Sequence, residues 1–314
     1  MTQKGIVVVG SLNLDLVVHV NKIPAVGETV SGSDFQTHPG GKGANQAAEV
    51  GLLGYPVRMI GRVGSDDFGR RLRESLNQAG VDTTAVLESE SASGTAMIVV
   101  QAGGDNSIIV APGANGTLSA SDLDAHMALI RNAAVVLTQL ETPIPTLEHL
   151  SALCEREGVP LILDPAPAQP LPPEVLRRVS WITPNETEAQ ILTGGRVSAL
   201  SRPDPEDLAR RLLALGANNV LLKLGERGAY VATDEGMRAA IPAYVVEAVD
   251  TTAAGDAFNG AFAVALARGA SALEAAQFAT AAAAISVTRY GALPSMPTQA
   301  EVEAFMAQRE KRAV

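Results

Sequence analysis

VVLTQLETPIPTLEHLSALCEREGVPLIL, residues 135–163, contains one complete structural unit. A β-branched run at 135–137 and an apolar run at 161–163 flank a helical pattern over 145–157, which reads as strand, helix, strand. A helical crossover joins parallel strands, because antiparallel neighbours need only a tight turn. The same rhythm extends in both directions. Short apolar runs at 6–9, 57–60, 181–182 and 220–222 alternate with helical patterns at 43–53, 67–79, 119–131, 185–192 and 204–215. This alternation predicts an α/β fold with a mostly parallel sheet. Residues 253–267 and 273–287 read as two helices rich in small residues, able to pack closely over one sheet face.

Two segments break the rhythm. LDLVVHVNKIPAVGETVSGSDFQT, 14–37, and GTAMIVVQAGGDNSIIVAP, 94–112, are strand-like and carry no helix, and the second has a hairpin centre at 103–106. They are expected to pair with each other as a small sheet projecting from the main domain, a lid or an interface. The alternative is two extra edge strands on the main sheet. The expected division is 1–13, 38–93 and 113–314 for the α/β domain and 14–37 with 94–112 for the lid. No repeat is visible along the chain.

The 314 residues carry a net charge of -10 without any basic block, and 4% are aromatic. Nucleic acid and anionic membrane are therefore poor partners, since both require clustered positive charge. The single cysteine, Cys154, has no partner for an intrachain disulfide, which suits a reducing cytoplasm. The opening MTQKGIVVVG lacks the apolar core of a signal peptide, and no apolar run approaches the roughly 20 residues of a membrane span.

Parallel sheets bind ligands beyond the carboxyl ends of their strands. GSLNLDL, 10–16, places Asn13 and Asp15 there, and an ionised Asp accepts hydrogen bonds from two neighbouring hydroxyls; both residues also form turns readily. PGGKGANQAA, 39–48, fails the phosphate-loop pattern at both ends. Its glycines Gly40, Gly41 and Gly43 allow close backbone approach at a helix start, where Asn45 adds an amide; a tight turn feeding a helix is the plainer reading. QLETP places Glu141 past a buried strand. TPNETEA places Asn185, Glu186 and Glu188 after another, suited to Mg²⁺ held through water or simply to a helix dipole. KLGERGAY, 223–230, reads as a nucleotide-wrapping turn or a plain hairpin. In DTTAAGDAFNGAF, 250–262, the small residues Ala253, Ala254 and Gly255 precede an apolar helix whose first N–H groups can surround a phosphoryl group. Asp256 at that end is either a general base or a helix cap.

Taken together, GSLNLDL, PGGKGANQAA, QLETP, TPNETEA, KLGERGAY, AVDTTAAGDAFNGAF and SVTRYGALPS resemble the ribokinase branch of the ribokinase-like (PfkB) carbohydrate kinase family, in order and spacing from about residue 6 to 297. The resemblance implies a three-layer α/β/α sandwich with a mostly parallel central sheet and a small projecting β-sheet lid. It implies transfer of the ATP γ-phosphoryl group to O5 of D-ribose. Asn13, Asp15, Gly41, Lys42, Gly43, Asn45 and Glu141 would line the sugar site. Asn185, Lys223, Leu224, Gly225, Glu226, Arg227, Gly228 and Thr280 would line the ATP site, and Glu188 would act on Mg²⁺ through water. Ala253, Ala254 and Gly255 would form the anion hole, which the ATP also touches, with Asp256 as base. A K⁺ site would use Asp250, Thr252, Ser286, Arg289, Gly291 and Ser295, several through backbone carbonyls. Thr252 replaces a usual aliphatic residue, and Tyr290 stands where Lys is frequent.

Three other readings compete. One is a kinase of the same family acting on 2-deoxyribose, fructose or a nucleoside. Another is a non-catalytic sugar or nucleotide sensor, which would have no need of Asp256. A dinucleotide oxidoreductase lacks its glycine motif after the first strand. Apolar stretches LVVHV and MIVV in the lid segments suggest a homodimer formed by two lids.

Overall fold

The computed structural model describes residues 3–101, 103, 106–195 and 203–313. In chain order the first half contains β1 (Ile6–Val9), β2 (Asn13–Val20), β3 (Gly32–Gly40), α1 (Lys42–Leu52), β4 (Val57–Gly64), α2 (Asp67–Gln78), β5 (Val86–Ser89), β6 (Gly94–Gln101) and β7 (Asn106–Ala111). Then follow α3 (Ala120–Ala125), α4 (Met127–Arg131), β8 (Val135–Thr138), α5 (Ile144–Glu157), β9 (Leu161–Leu163), α6 (Pro173–Arg178), β10 (Trp181–Ile182), α7 (Glu186–Leu192) and α8 (Pro205–Ala214). The chain continues through β11 (Asn219–Lys223), β12 (Ala229–Thr233), β13 (Arg238–Ile241), α9 (Ala254–Ala267), α10 (Ala272–Ser286) and α11 (Gln299–Ala313).

The main sheet runs β13-β12-β11-β10-β9-β8-β1-β4-β5. From β11 to β5 every pairing is parallel, and β12 and β13 close one edge as antiparallel strands. The quoted unit is present as expected: β8 and β9 pair in parallel, and Gly158 ends α5 in the left-handed conformation that suits glycine. Both faces of the sheet are covered, which explains why its strands read as unbroken apolar runs. In β1, Ile6 and Val8 belong to the core cluster that includes residues of α1, α9 and α10, while Val7 and Val9 belong to the cluster that includes residues of α5 and α8 on the opposite face.

The rhythm-breaking segments form a separate sheet, ordered β3-β2-β6-β7, and not edge strands of the main one. β2 and β6 join the two segments in parallel, with Asn13 beside Gly94. Its strands reach past the expected limits, to Asn13 and Gly40. Part of the expected hairpin centre, positions 104 and 105, lies outside the described residues. The helix expected over 119–131 is two short helices. His126 leaves helical geometry, and its Nδ1 donates to the carbonyl of Asp122 at 2.8 Å.

One buried group carries a stability consequence. Glu49 of α1 is fully buried against Gly260 of α9, and among the described residues neither its carboxyl oxygens nor the amide of the buried Asn259 has a hydrogen-bond partner. Burial, reinforced by Glu301 and opposed by Arg289, raises the Glu49 pKa well above its ordinary value. The folded chain therefore keeps this proton at pH values where the unfolded chain has released it. Stability attached to Glu49 is full below about pH 4 and falls as pH rises, by at most about 1.4 kcal/mol per pH unit. Glu49→Gln is expected to be more stable than the parent at pH 8, with the difference shrinking toward pH 4.5 in urea titrations. An equal difference at both pH values would refute the protonated carboxyl.

Candidate active site

The carboxyl ends of β1, β8, β9, β10 and β11 meet the N-termini of α1 and α9, as ligand sites in parallel sheets do. Ala253, not Asp256, is the N-cap of α9, and it holds a φ of 58°. A non-glycine residue rarely adopts that left-handed conformation, and the following Ala254 N–H donates to the Thr251 carbonyl at 3.3 Å. Asp256 lies in the first turn of α9, and its carboxylate is hydrogen-bonded to side chains of α1. Its Oδ2 accepts from Asn45 Nδ2 and its Oδ1 from Gln46 Nε2, each at 3.0 Å. The alternative of a helix cap is therefore overturned. Burial pushes the Asp256 pKa up to about 6; Lys42 and the two amide bonds oppose that rise, and Asp164 adds to it.

Beside Asp256 stands a second polar cluster. Glu141 Oε2 accepts from Ser11 Oγ at 2.5 Å, from the Lys42 backbone N–H at 3.2 Å and from Asn13 Nδ2 at 3.4 Å. Asn115 fixes the first lid residue by donating to Asn13 Oδ1 at 2.7 Å, while its own Oδ1 accepts from Leu12 N–H. Asp15 is half-buried, and burial, with the charges of Glu141 and Asp256, raises its pKa to about 7 against the pull of Lys42. Burial alone would lower the Lys42 pKa, yet the field of Asp256, Asp164, Glu141 and Glu188 holds it above the ordinary lysine range.

The glycines at the start of α1 are required by close packing. A Cβ at Gly41 would lie 2.6 Å from the Asn13 nitrogen, and one at Gly43 would lie 2.6 Å from the Ser11 nitrogen. The Gly43 N–H is already given to Ser11 Oγ at 3.3 Å. These glycines let α1 start directly against the β1–β2 connection, which brings Asn45 to Asp256.

Two cavities adjoin. One, of about 310 Å³, is lined by Lys42, Asp164, Ala166, Asn185, Glu188, Lys223, Gly225, Thr251, Ala253, Gly255 and Asp256. The other, of about 330 Å³, shares Asn185, Lys223 and Gly225 and adds Glu186, Thr187, Leu224, Glu226 and Arg227. KLGERGAY is thus both a hairpin between β11 and β12 and a cavity wall. Gly228 and Thr280 line neither cavity, and the Thr280 hydroxyl donates to the Ala276 carbonyl at 2.7 Å. Glu188 closes a capping box on Asn185, accepting from its N–H at 2.8 Å and its Nδ2 at 2.9 Å. Burial raises the Glu188 pKa, with Lys223 opposing. The dipole role and a place at the cavity wall therefore coexist.

The residues of the expected cation site also assemble. Asp250 Oδ1 accepts from Thr252 N–H at 2.9 Å and Thr252 Oγ1 at 2.6 Å, and Oδ2 accepts from Gly291 N–H at 2.9 Å. These bonds overcome burial and lower the Asp250 pKa, keeping it ionised. Ser286 and Ser295 hydroxyls lie 2.9 Å apart beneath the loop, Arg289 pairs with Glu301 at 2.5 Å, and Tyr290 is exposed. Among the described residues, no cluster of three or more His, Cys, Asp or Glu is arranged to hold a metal ion.

Sequence reading missed Ser11, Gln46, Asn115, Gln139 and Asp164. Gln139 Nε2 donates to Gln46 Oε1 at 2.8 Å, and Asp164 accepts from Gln46 Nε2 at 3.0 Å and Lys223 Nζ at 2.8 Å. Asp164 directly follows β9, so the strand-end rule that found Glu141 reaches it as well. Gln46 carries no such signal.

Residues 3–299 match the family described as pfkB family carbohydrate kinase. The chain is 41% identical to a ribokinase of Haemophilus influenzae, covering 97% of this chain and 99% of that one. It is also 41% identical to a ribokinase of Bacillus subtilis, covering 97% and 100%. The structure of Arabidopsis thaliana ribokinase complexed with ribose and ATP superposes with a TM-score of 0.89 at 36% identity, covering 97% of this chain and 99% of that one.

Proposed function

Because the chain belongs to the pfkB family of carbohydrate kinases, we propose that it transfers the γ-phosphoryl group of ATP to the O5 hydroxyl of D-ribose, giving D-ribose 5-phosphate and ADP. One observation carries the chemistry: a buried carboxylate, Asp256, is aimed by two amides into a cavity that also holds Lys42, Lys223 and the start of α9. A sensor has no use for that arrangement. The relative complexed with ribose and ATP supports the choice of substrates.

In this reading O5 attacks the γ-phosphorus, the bond from that phosphorus to the bridging oxygen breaks, and the O5 proton passes to Asp256. A sugar hydroxyl is too weak an acid to ionise beforehand, so Asp256 orients it and takes the proton as the new bond forms. The N–H groups of Ala253–Gly255 stabilise charge on the equatorial oxygens of the moving group. Asp15, Asn13 and Asn45 hold the sugar hydroxyls; Asn45 Oδ1 is buried without a partner among the described residues and fits a sugar hydroxyl donor. The Asn185 and Lys223–Arg227 wall holds the nucleotide.

Mg²⁺ held through water by Glu188 suits a site with few carboxylates, and it would neutralise phosphate charge. An ionised Asp250, with Thr252, Ser286, Arg289, Gly291 and Ser295, several through backbone carbonyls, suits a weakly hydrated K⁺, whose positive field would lie beside the anion hole. The lid sheet shields the sugar from water, which would otherwise accept the phosphoryl group. Its Phe35, Met97 and Ile109 are exposed, and Met97 faces Ile109 across the strands. A second copy of this chain, joined lid to lid, would cover them. No helix among the described residues is long and apolar enough to cross a membrane, and the buried Cys154, its pKa pushed up by burial to about 12, suits a reducing cytoplasm.

ADP release with ribose, 2-deoxyribose, fructose and a nucleoside, with and without K⁺, tests the assignment. Ribose is expected to give the highest kcat/KM, at least tenfold above 2-deoxyribose, and K⁺ is expected to raise turnover. Equal or greater kcat/KM on another of these acceptors would replace ribose as the substrate.

A further inference from the structure

Lys223 and Asp164 form an ion pair at 2.8 Å in which Asp164 is almost wholly buried. The same Asp164 accepts from Gln46 Nε2, whose second hydrogen is given to Asp256. One amide nitrogen therefore ties the paired carboxylate to the base, and Gln139 fixes that amide by donating to its oxygen. At the other end Lys223 Nζ lies 3.4 Å from where a Cβ on Gly255 would stand, so it borders the anion hole. A phosphoryl group seated there competes with Asp164 for the same ammonium.

We propose that Asp164 and Lys223 form a nucleotide-released latch: ATP draws Lys223 off Asp164, and the freed carboxylate, acting through Gln46, strengthens Asp256 as a base when phosphate is in place. This rests on the kinase reading above. Without nucleotide Asp164 already raises the Asp256 pKa, and the Lys223 ammonium paired with it offsets part of that field. Once Lys223 turns to the phosphate, the negative charge of Asp164 stands one amide away from Asp256 and favours its protonated form. The other charged groups facing the base are Lys42 of α1 and Asp15 of β2; Glu141 and Glu188 act on it through Lys42. Asp164 touches no reacting atom and is a positioning residue.

The test compares the acid limb of kcat/KM for ATP, which reports the nucleotide-free state, with the acid limb of kcat, which reports the bound state. In the parent the kcat limb is expected at higher pH, by about one pH unit. In Asp164→Asn the two limbs should draw together, and ADP should bind roughly 3- to 10-fold more tightly in calorimetry because Lys223 is no longer held. Lys223→Gln provides a control that keeps Asp164: its kcat/KM limb should move to higher pH, opposite to Asp164→Asn. A purely structural role would not move the limb in opposite directions in the two variants. Unchanged limbs and ADP affinity in both variants, with the parent active, would refute the latch alone. Failure of the parent to bind ADP would refute the latch and the kinase reading together.

Discussion

Asp256→Asn is expected to lower kcat by 10²- to 10⁴-fold, the range for loss of a general base, while leaving the KM values for both substrates within about threefold. The change keeps shape and removes the proton acceptor. The carboxamide it introduces can still accept one of the two amides that now hold the carboxylate, from Asn45 or Gln46, so the α1–α9 contact survives. Thermal unfolding should shift by only a few degrees, which separates lost chemistry from lost fold. The pH profile gives a second reading. With its pKa near 6 in the ligand-free protein, Asp256 loses its charge as pH falls through that value. In the parent, kcat/KM should then fall about tenfold per pH unit below this point, and the variant should lack that dependence. Retention of a third of parental turnover by a folded Asp256→Asn would remove the residue from the chemistry.

Asp15→Ala is expected to act on the other substrate. Two hydrogen bonds from sugar hydroxyls to a charged carboxylate contribute about 1.5–3 kcal/mol each, so kcat/KM for ribose should fall by at least 10²-fold. KM for ATP should change by less than threefold, since Asp15 lies at the base of the lid and lines neither cavity. Asp15 titrates near 7, raised first by burial and then by Glu141 and Asp256. Its ability to accept two hydroxyls is therefore lost as pH falls through 7, before Asp256 is protonated. The two carboxyls interact, so the profile reports apparent values for the pair. Ribose KM in the parent should rise below pH 7, and in Asp15→Ala it should be flat there. A ribose KM unchanged by the substitution would place the sugar elsewhere.

Much of the fold is legible along the chain because its causes are local. A β-branched run such as Val135–Thr138 and a periodic segment such as Ile144–Glu157 announce themselves within a few residues. The break inside 119–131 is hidden because the period continues through His126, while the break depends on a ring that bonds the Asp122 carbonyl. The hairpin strands β12 and β13 and the edge strand β5 are less visible, since short edge strands carry weaker patterns.

Neighbouring residues alone set the parallel α/β rhythm, the presence of a separate small sheet, and the rim positions of Asn13, Asp15, Glu141, Asn185 and Asp256, because strand ends and helix starts are local properties. Which of those residues meet is decided by the folded molecule. Asp256 reads equally as a cap or a base until Asn45 and Gln46, some 210 positions away, are seen to hold its carboxylate. The pairing of Asp164 with Lys223, and the amide that links that pair to the base, likewise exists only after β9, β11 and α1 converge. A burial-raised pKa, a shared amide and a competing ion pair depend on distances through space, and the order of residues along the chain does not contain them.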